Sequence, residues 1–228
     1  RKILIIMLPS IFYKEWIKIG KISLLLTAVG LLIIAGIHLT VRHDLLMKDA
    51  EIYWADIVYQ KYVYFSIFKF LPLITGLLIG LAQFIPETVD KRIKLSLHLP
   101  INEEEIVLKM AGIGTGILLL IFSLLFAVMY GWSLVYFPAE IVNKTAVSIL
   151  PWFFSGLAAY FLASFVILEP IWKYRILYMI TGGAFLTLFY KSNVSGSYQP
   201  AILPLLICTL MLSISSLFSI YRFRKGEM

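Results

Sequence analysis

The sequence predicts an all-α membrane protein of six transmembrane helices, with an N-terminal amphipathic helix, a second amphipathic helix in a cytoplasmic loop between spans two and three, and both termini in the cytoplasm. Three observations predict it. The 228 residues are 61% hydrophobic and 14% charged, against roughly 25% charged in soluble domains. Long apolar stretches recur six times, each close to the roughly 20 residues that a helix needs to cross a bilayer. The net charge of +7, from 20 Lys+Arg against 13 Asp+Glu, is spread unevenly along the chain. Six spans occupy about 120 residues, which leaves no room for a second soluble domain.

The expected spans are residues 22–41, 62–86, 107–132, 147–168, 174–190 and 201–221, the fifth being the shortest. The apolar run 3–8 is shorter than the h-region of a signal peptide and ends at Pro9, so the first span is expected to be retained. With the N-terminus inside, Arg1, Lys2, Lys14, Lys18, Lys21, Lys91, Arg92, Lys94, Lys109, Lys173, Arg175, Arg222, Arg224 and Lys225 fall on the cytoplasmic side. Only Arg42, Lys48, Lys61, Lys144 and Lys191 fall outside, so the positive-inside rule orients the chain.

Before the first span, residues 11–21 put Lys14, Lys18 and Lys21 at i, i+4, i+7, with Phe12, Trp16 and Ile19 on the opposite face. This pattern predicts an interfacial helix whose basic side chains face anionic headgroups and whose Trp marks the boundary. It either anchors the first span or also docks a cytoplasmic partner. The loop after span two is the longest cytoplasmic connection. Pro86 ends the span, and within 88–97 Val89, Ile93 and Leu97 recur at i, i+4, i+8 with Asp90, Lys91, Arg92 and Lys94 on other faces, which predicts a short amphipathic helix. Pro100 closes it. Asn102 and Glu105 then form a capping box, with Glu103 and Glu104 also placed to favour a helix N-terminus, so span three should begin near Glu103. A charged loop of this length is built to contact something, because an ordinary connection needs only a few residues.

Outside, residues 42–61 carry Tyr53, Trp54 and Tyr59 among mixed charges, as for a helix at the outer interface or an outward extension of span two. The tripeptides Asn143-Lys144-Thr145 and Asn193-Val194-Ser195 match glycosylation sequons, a pattern that arises readily by chance.

Inside the spans there is almost no ionisable residue. Ion-driven carriers use intramembrane carboxylates or broken helices, and no Asp or Glu lies between the ends of any span. Lys69 is the exception; the aromatic residues before it favour a snorkelling position at the outer interface. His38, His43 and His98 are separated by topology and cannot form one metal site, and the lone Cys208 excludes an internal disulfide or a Cys-based zinc site. Gly76 and Gly80 in span two, and Gly112 and Gly116 in span three, have GxxxG spacing and allow close helix approach, within a subunit or between subunits; Gly156 and the pair Gly182-Gly183 can serve similarly. No phosphate-binding loop of the G-x-x-x-x-G-K-[ST] type occurs, since the run of glycines at 112–116 leads into leucines within a span.

Six spans without ion-coupling residues or a nucleotide site, but with a cytoplasmic amphipathic loop, resemble the permease subunits of ABC transporters of the ABC-2 exporter type. The resemblance covers the whole chain. An elbow helix (9–21) precedes six spans, and in the loop 87–106 Glu87 is followed by Lys91, Arg92 and Lys94, then Leu97-His98-Leu99-Pro100-Ile101, then Glu105-Ile106-Val107-Leu108-Lys109. Asn102-Glu103 stands where such permeases often have Ser-Arg. The resemblance implies a homo- or heterodimer of permeases bound to two cytoplasmic ATPase subunits, which would carry the ATP and Mg; this chain itself would bind no cofactor and catalyse no reaction. Helix 88–97 would be the coupling helix seated on the ATPase, with Glu87, Val89, Asp90, Lys91, Arg92, Ile93, Lys94 and Leu97 as coupling residues and Lys14, Trp16, Lys18 and Lys21 marking the elbow. Spans one, two and five would line the path for an amphipathic or hydrophobic cargo: a peptide, an antibiotic or a lipid. The alternatives are a self-sufficient secondary carrier and a noncatalytic scaffold or immunity protein. A remote one is an intramembrane glutamate protease, because Glu104-Glu105 resembles the paired glutamates of CAAX-type proteases; the pattern here ends in Lys109, without companion histidine motifs.

Overall fold

Small residues spaced along an apolar helix let neighbouring backbones come close, and one helix of this chain is built that way. In residues Ala139–Leu168, Ser148, Ser155, Gly156, Ala158, Ala159 and Ser164 are all buried. The serine hydroxyls donate back to carbonyls of their own helix, Ser155 to Trp152 O at 2.6 Å and Ser164 to Phe161 O at 2.7 Å, and the Ser155 hydroxyl also lies 2.5 Å from that of Tyr190.

The computed structural model describes residues 2–47, 49–59, 62–89, 103–192, 194 and 196–224. Among these residues the chain is all-helical, with no strand: α1 is Lys2–Met47, α2 Ala50–Tyr59, α3 Leu71–Val89, α4 Glu103–Tyr136, α5 Ala139–Leu168, α6 Trp172–Thr187 and α7 Ile202–Arg224. Short 3-10 turns at Ser66–Phe70, Leu188–Tyr190 and Gln199–Ala201 lead into α3, out of α6 and into α7. Four segments are long and apolar enough to cross a membrane: Pro9–Met47, Ser66–Thr88, Leu108–Tyr136 and Ala139–Leu168. The expected fifth span corresponds to α6, whose 16 residues rise only about 24 Å, short of a hydrocarbon core of about 30 Å. The sixth corresponds to α7.

Helix α5 sits at the centre, packed against α3, α4, α6 and α7, while α1 lies along α3 and α4. The α3–α5 crossing is the closest. A Cβ at Gly76 would come within 1.8 Å of Gly156 O, and one at Gly156 within 2.5 Å of Pro72 O. Gly80 lies on the same seam, where an added Cβ would meet Ala163 Cβ at 3.0 Å. Gly112 and Gly116 differ, because a Cβ at either would meet nothing within 4 Å among the described residues.

The expected elbow is not set apart. Residues 9–21 run without a break into the first span as part of the 46-residue α1, which at 1.5 Å per residue is about 69 Å long and exceeds a bilayer core more than twofold. The inward stripe of α1, Glu15, Ile19, Ser23, Leu26, Gly30, Ile34, Ile37 and Val41, repeats at spacings of four, four and three and continues through the supposed boundary, so nothing in the packing breaks the helix there. The loop 87–106 begins inside α3 and ends inside α4; its residues 90–102, with most of the expected coupling helix, lie outside the described residues. At the other end, the Tyr64 hydroxyl is 3.2 Å from both Ser133 Oγ and Thr145 Oγ1, and Tyr53 of α2 stacks on Phe137.

Replacing Gly76 or Gly156 by Ala forces backbones apart and should cost about 2 kcal/mol or more of stability. Gly112→Ala should be neutral or slightly stabilising, since Ala is the better helix former. Thermal unfolding of the purified variants in detergent checks this ordering.

Candidate functional site

Four charged side chains meet at the end of the bundle where α1 and α4 begin and α3 ends. Lys14, Glu15 and Lys18 come from successive turns of α1, and Glu87 from the last turn of α3. Lys14 Nζ lies 2.8 Å from Glu87 Oε1, and Lys18 Nζ lies 2.8 Å from Glu15 Oε1 while also donating to Glu87 Oε1. Glu15 and Glu87 are almost fully buried, at 0% and 1% exposure, and the Lys18 side chain is 9% exposed. Two cations and two anions make the cluster neutral, the condition under which charges persist away from water.

A neutral relay extends the cluster across the bundle. The amide of Gln83, one turn before Glu87 on α3, donates to Glu15 Oε2 at 2.9 Å and to Met110 O of α4 at 2.8 Å, which uses both of its N–H groups. Its oxygen accepts from the hydroxyl of Tyr160 of α5 at 2.7 Å, and Ala111 O lies 3.2 Å from the same hydroxyl. Room for this meeting comes from Gly114, where a Cβ would fall 2.2 Å from Tyr160 Oη and 2.3 Å from Gln83 Oε1. One connected network therefore ties α1, α3, α4 and α5 together.

This arrangement reverses the orientation expected for the N-terminal helix. Lys14 and Lys18 turn inward with Ile19, whereas Phe12 and Trp16 stack on one another at the surface with 46% and 42% exposure. The reason is the counter-ions. A row of lysines faces headgroups only if the protein offers no anion, and here Glu87 supplies one from 69 residues away. Lys21 alone of the three stays exposed. Glu87, expected to belong to the coupling surface, is buried, with its Oε1 bonded to both Lys14 and Lys18. Val89 is the last residue of α3, and Asp90, Lys91, Arg92, Ile93, Lys94 and Leu97 lie outside the described residues.

Glu15, Gln83, Gly114 and Tyr160 were not legible as a site. The available signal was the i, i+4 spacing of Gln83 and Glu87 and a lone carboxylate at 15 between two lysines.

Elsewhere, Lys69 lies in the 3-10 turn ahead of α3, with its ammonium 5.7 Å from the Phe70 ring centre and 5.6 Å from that of Tyr190. His38 bonds through Nδ1 to Ile34 O at 2.8 Å and packs edge-on against Trp132. Among the described residues no three His, Cys, Asp or Glu side chains gather as metal ligands.

Among the described residues, the fold and this cluster define an all-helical protein with four helices able to cross a membrane, pinned at one end by a largely buried, neutral ionic network. Comparison with protein-family models, with characterised proteins and with solved structures gives no match to this chain.

Removing Glu87 leaves Lys18 with Glu15 as its one counter-ion and returns Lys14 to solvent. Glu87→Ala is expected to destabilise by about 1–3 kcal/mol. Tyr160→Phe leaves the Gln83 oxygen unpaired and should cost about 1–3 kcal/mol, and Gly114→Ala should cost more than Tyr160→Phe. Chemical or thermal unfolding followed by tryptophan fluorescence reads all three.

Proposed function

We propose that the chain is the transmembrane permease subunit of an ATP-driven exporter of the ABC-2 type. It forms the translocation path as a dimer and couples to separate cytoplasmic ATPase subunits. In this reading α1, α3, α4, α5, α6 and α7 are the six spans, and the distribution of Lys and Arg makes the end bearing the ionic network the cytoplasmic one. The first, second and fifth spans line the path, and the cargo is amphipathic or hydrophobic.

The observation that carries the reading is the position of Glu87. It is both the last buried residue before the segment 88–97, the proposed coupling helix, and the hub of the network. Movement of the coupling helix against an ATPase would be felt first at Glu87. From there Lys14 and Lys18 pass it to α1, and Gln83 and Tyr160 pass it to α4 and α5. A packed, hydrogen-bonded network of this kind has few intermediate positions and suits switching between two arrangements. Glu87 thus acts as a positioning residue inside the permease.

The test is reconstitution with a candidate ATPase. Lys91→Glu, Arg92→Glu and Lys94→Glu together should lower transport-linked ATP hydrolysis about tenfold, the effect of losing about 1.4 kcal/mol of docking energy, with the melting temperature of the permease unchanged. A chain lacking residues 88–97 that still assembled with the ATPase and transported normally would overturn the proposal. So would cargo transport by the purified chain alone, driven by an ion gradient.

A further inference from the structure

His38 sits in the seam between α1 and α4, at the end of the bundle away from the ionic network, and is 5% exposed. Its ring meets Trp132 edge-on at 4.8 Å between centres, with Tyr136 at 6.1 Å. Nδ1 lies 2.8 Å from Ile34 O. A carbonyl oxygen only accepts, so Nδ1 carries the hydrogen of the neutral ring and Nε2 presents a lone pair. Nε2 is buried and, among the described residues, has no hydrogen-bond partner. Beside the ring a cleft of about 400 Å³ separates α1 from α4, bordered by His38, Leu39, Arg42, Trp132, Val135 and Tyr136. Leu39 is 67% and Val135 74% exposed, so the cleft opens to the outside of the bundle.

We propose that His38 is an acid-sensitive catch between α1 and α4: the neutral imidazole holds the two helices together at this end, and the protonated one leaves the seam for the cleft. The inference goes beyond the export reading and requires neither an ATPase nor a cargo.

The neutral ring has its one donor satisfied. Protonation adds a second hydrogen, at the one ring atom that has no partner, and a buried charged donor without an acceptor is among the costliest groups to hold in an apolar seam. No carboxylate stands by to compensate it. The titratable and charged groups at the cleft are Tyr136 from α4 and Arg42 from the next turn of α1, one neutral and the other of the same sign as the protonated ring. The other elements packed on α1, which are α2, α3 and the turn Ser66–Phe70, bring no charged side chain against the imidazole among the described residues. Turning into the cleft lets both ring nitrogens reach water or lipid phosphate. The contact with Trp132, which ties α1 to α4 here, is lost in the same movement.

The experiment places the full chain in phosphatidylcholine nanodiscs with spin labels at Leu46→Cys on α1 and Leu134→Cys on α4, in a Cys208→Ser background. Both labelled positions are exposed and neither lines the cleft. Dilution with unlabelled chain restricts the reading to distances within one chain. Pulsed electron spin resonance compares samples at about pH 8 and about pH 5, the range over which an imidazole changes charge. With His38 present the mean distance should change by about 2 Å, the scale of a helix shift. His38→Phe keeps a ring against Trp132 and His38→Gln keeps a donor for Ile34 O; neither gains a proton, and each should hold one distance at both pH values. An unchanged distance in the chain with His38 overturns the proposal, and so does an equal change in either variant. Transport and ATP hydrolysis enter none of these readouts, so the export reading can fail without it.

Discussion

Two buried glutamates and a nearly buried lysine, with a second lysine at the edge of solvent, must neutralise one another, and that requirement fixes how the helices of this protein meet at one end. Glu87 serves two lysines of α1, Glu15 is shared between Lys18 and Gln83, and Gln83 spends each of its amide hydrogens and its oxygen on a different group. Shifting α3 along α1 by one turn would leave a charge unpaired in an apolar setting, at a cost comparable with the whole stability of many domains. The network thus sets register where apolar packing, which is non-directional, would tolerate sliding.

Close approach complements it. Below the network α3 and α5 touch through Gly76 and Gly156, and their separation is set by backbone atoms rather than by side chains. Gly114 belongs to both devices, because its missing side chain is the space in which Tyr160 reaches Gln83. The same run of alternate glycines then does the opposite on the other face of α4. A Cβ at Gly112 or Gly116 would meet nothing within 4 Å among the described residues, and the two glycines border a groove. Spacing identifies such glycines as candidates for close contact; which neighbour stands opposite decides whether the contact exists.

Periodicity and hydropathy read well where one helix is apolar over most of its surface. The helical end at Leu168 coincides with the end expected for the fourth span, whereas α3 runs on through Pro86, the expected close of the second. They read poorly at the N-terminus. Lys14 and Lys18 look alike in sequence whether they face phosphate headgroups or a buried carboxylate, and Lys21, on the same face by spacing, does stay exposed.

By itself the sequence determined an all-helical, strongly apolar chain, the approximate positions of its long helices and the unequal distribution of its positive charge, because each follows from residues close together along the chain. Only the tertiary structure decided that the N-terminal segment is one helix with the first span, that its basic face turns inward, and that one glycine pair packs while another gapes. Those outcomes depend on which groups from distant segments arrive opposite: Glu87 for the lysines, Gly156 for Gly76, and among the described residues nothing for Gly112 and Gly116.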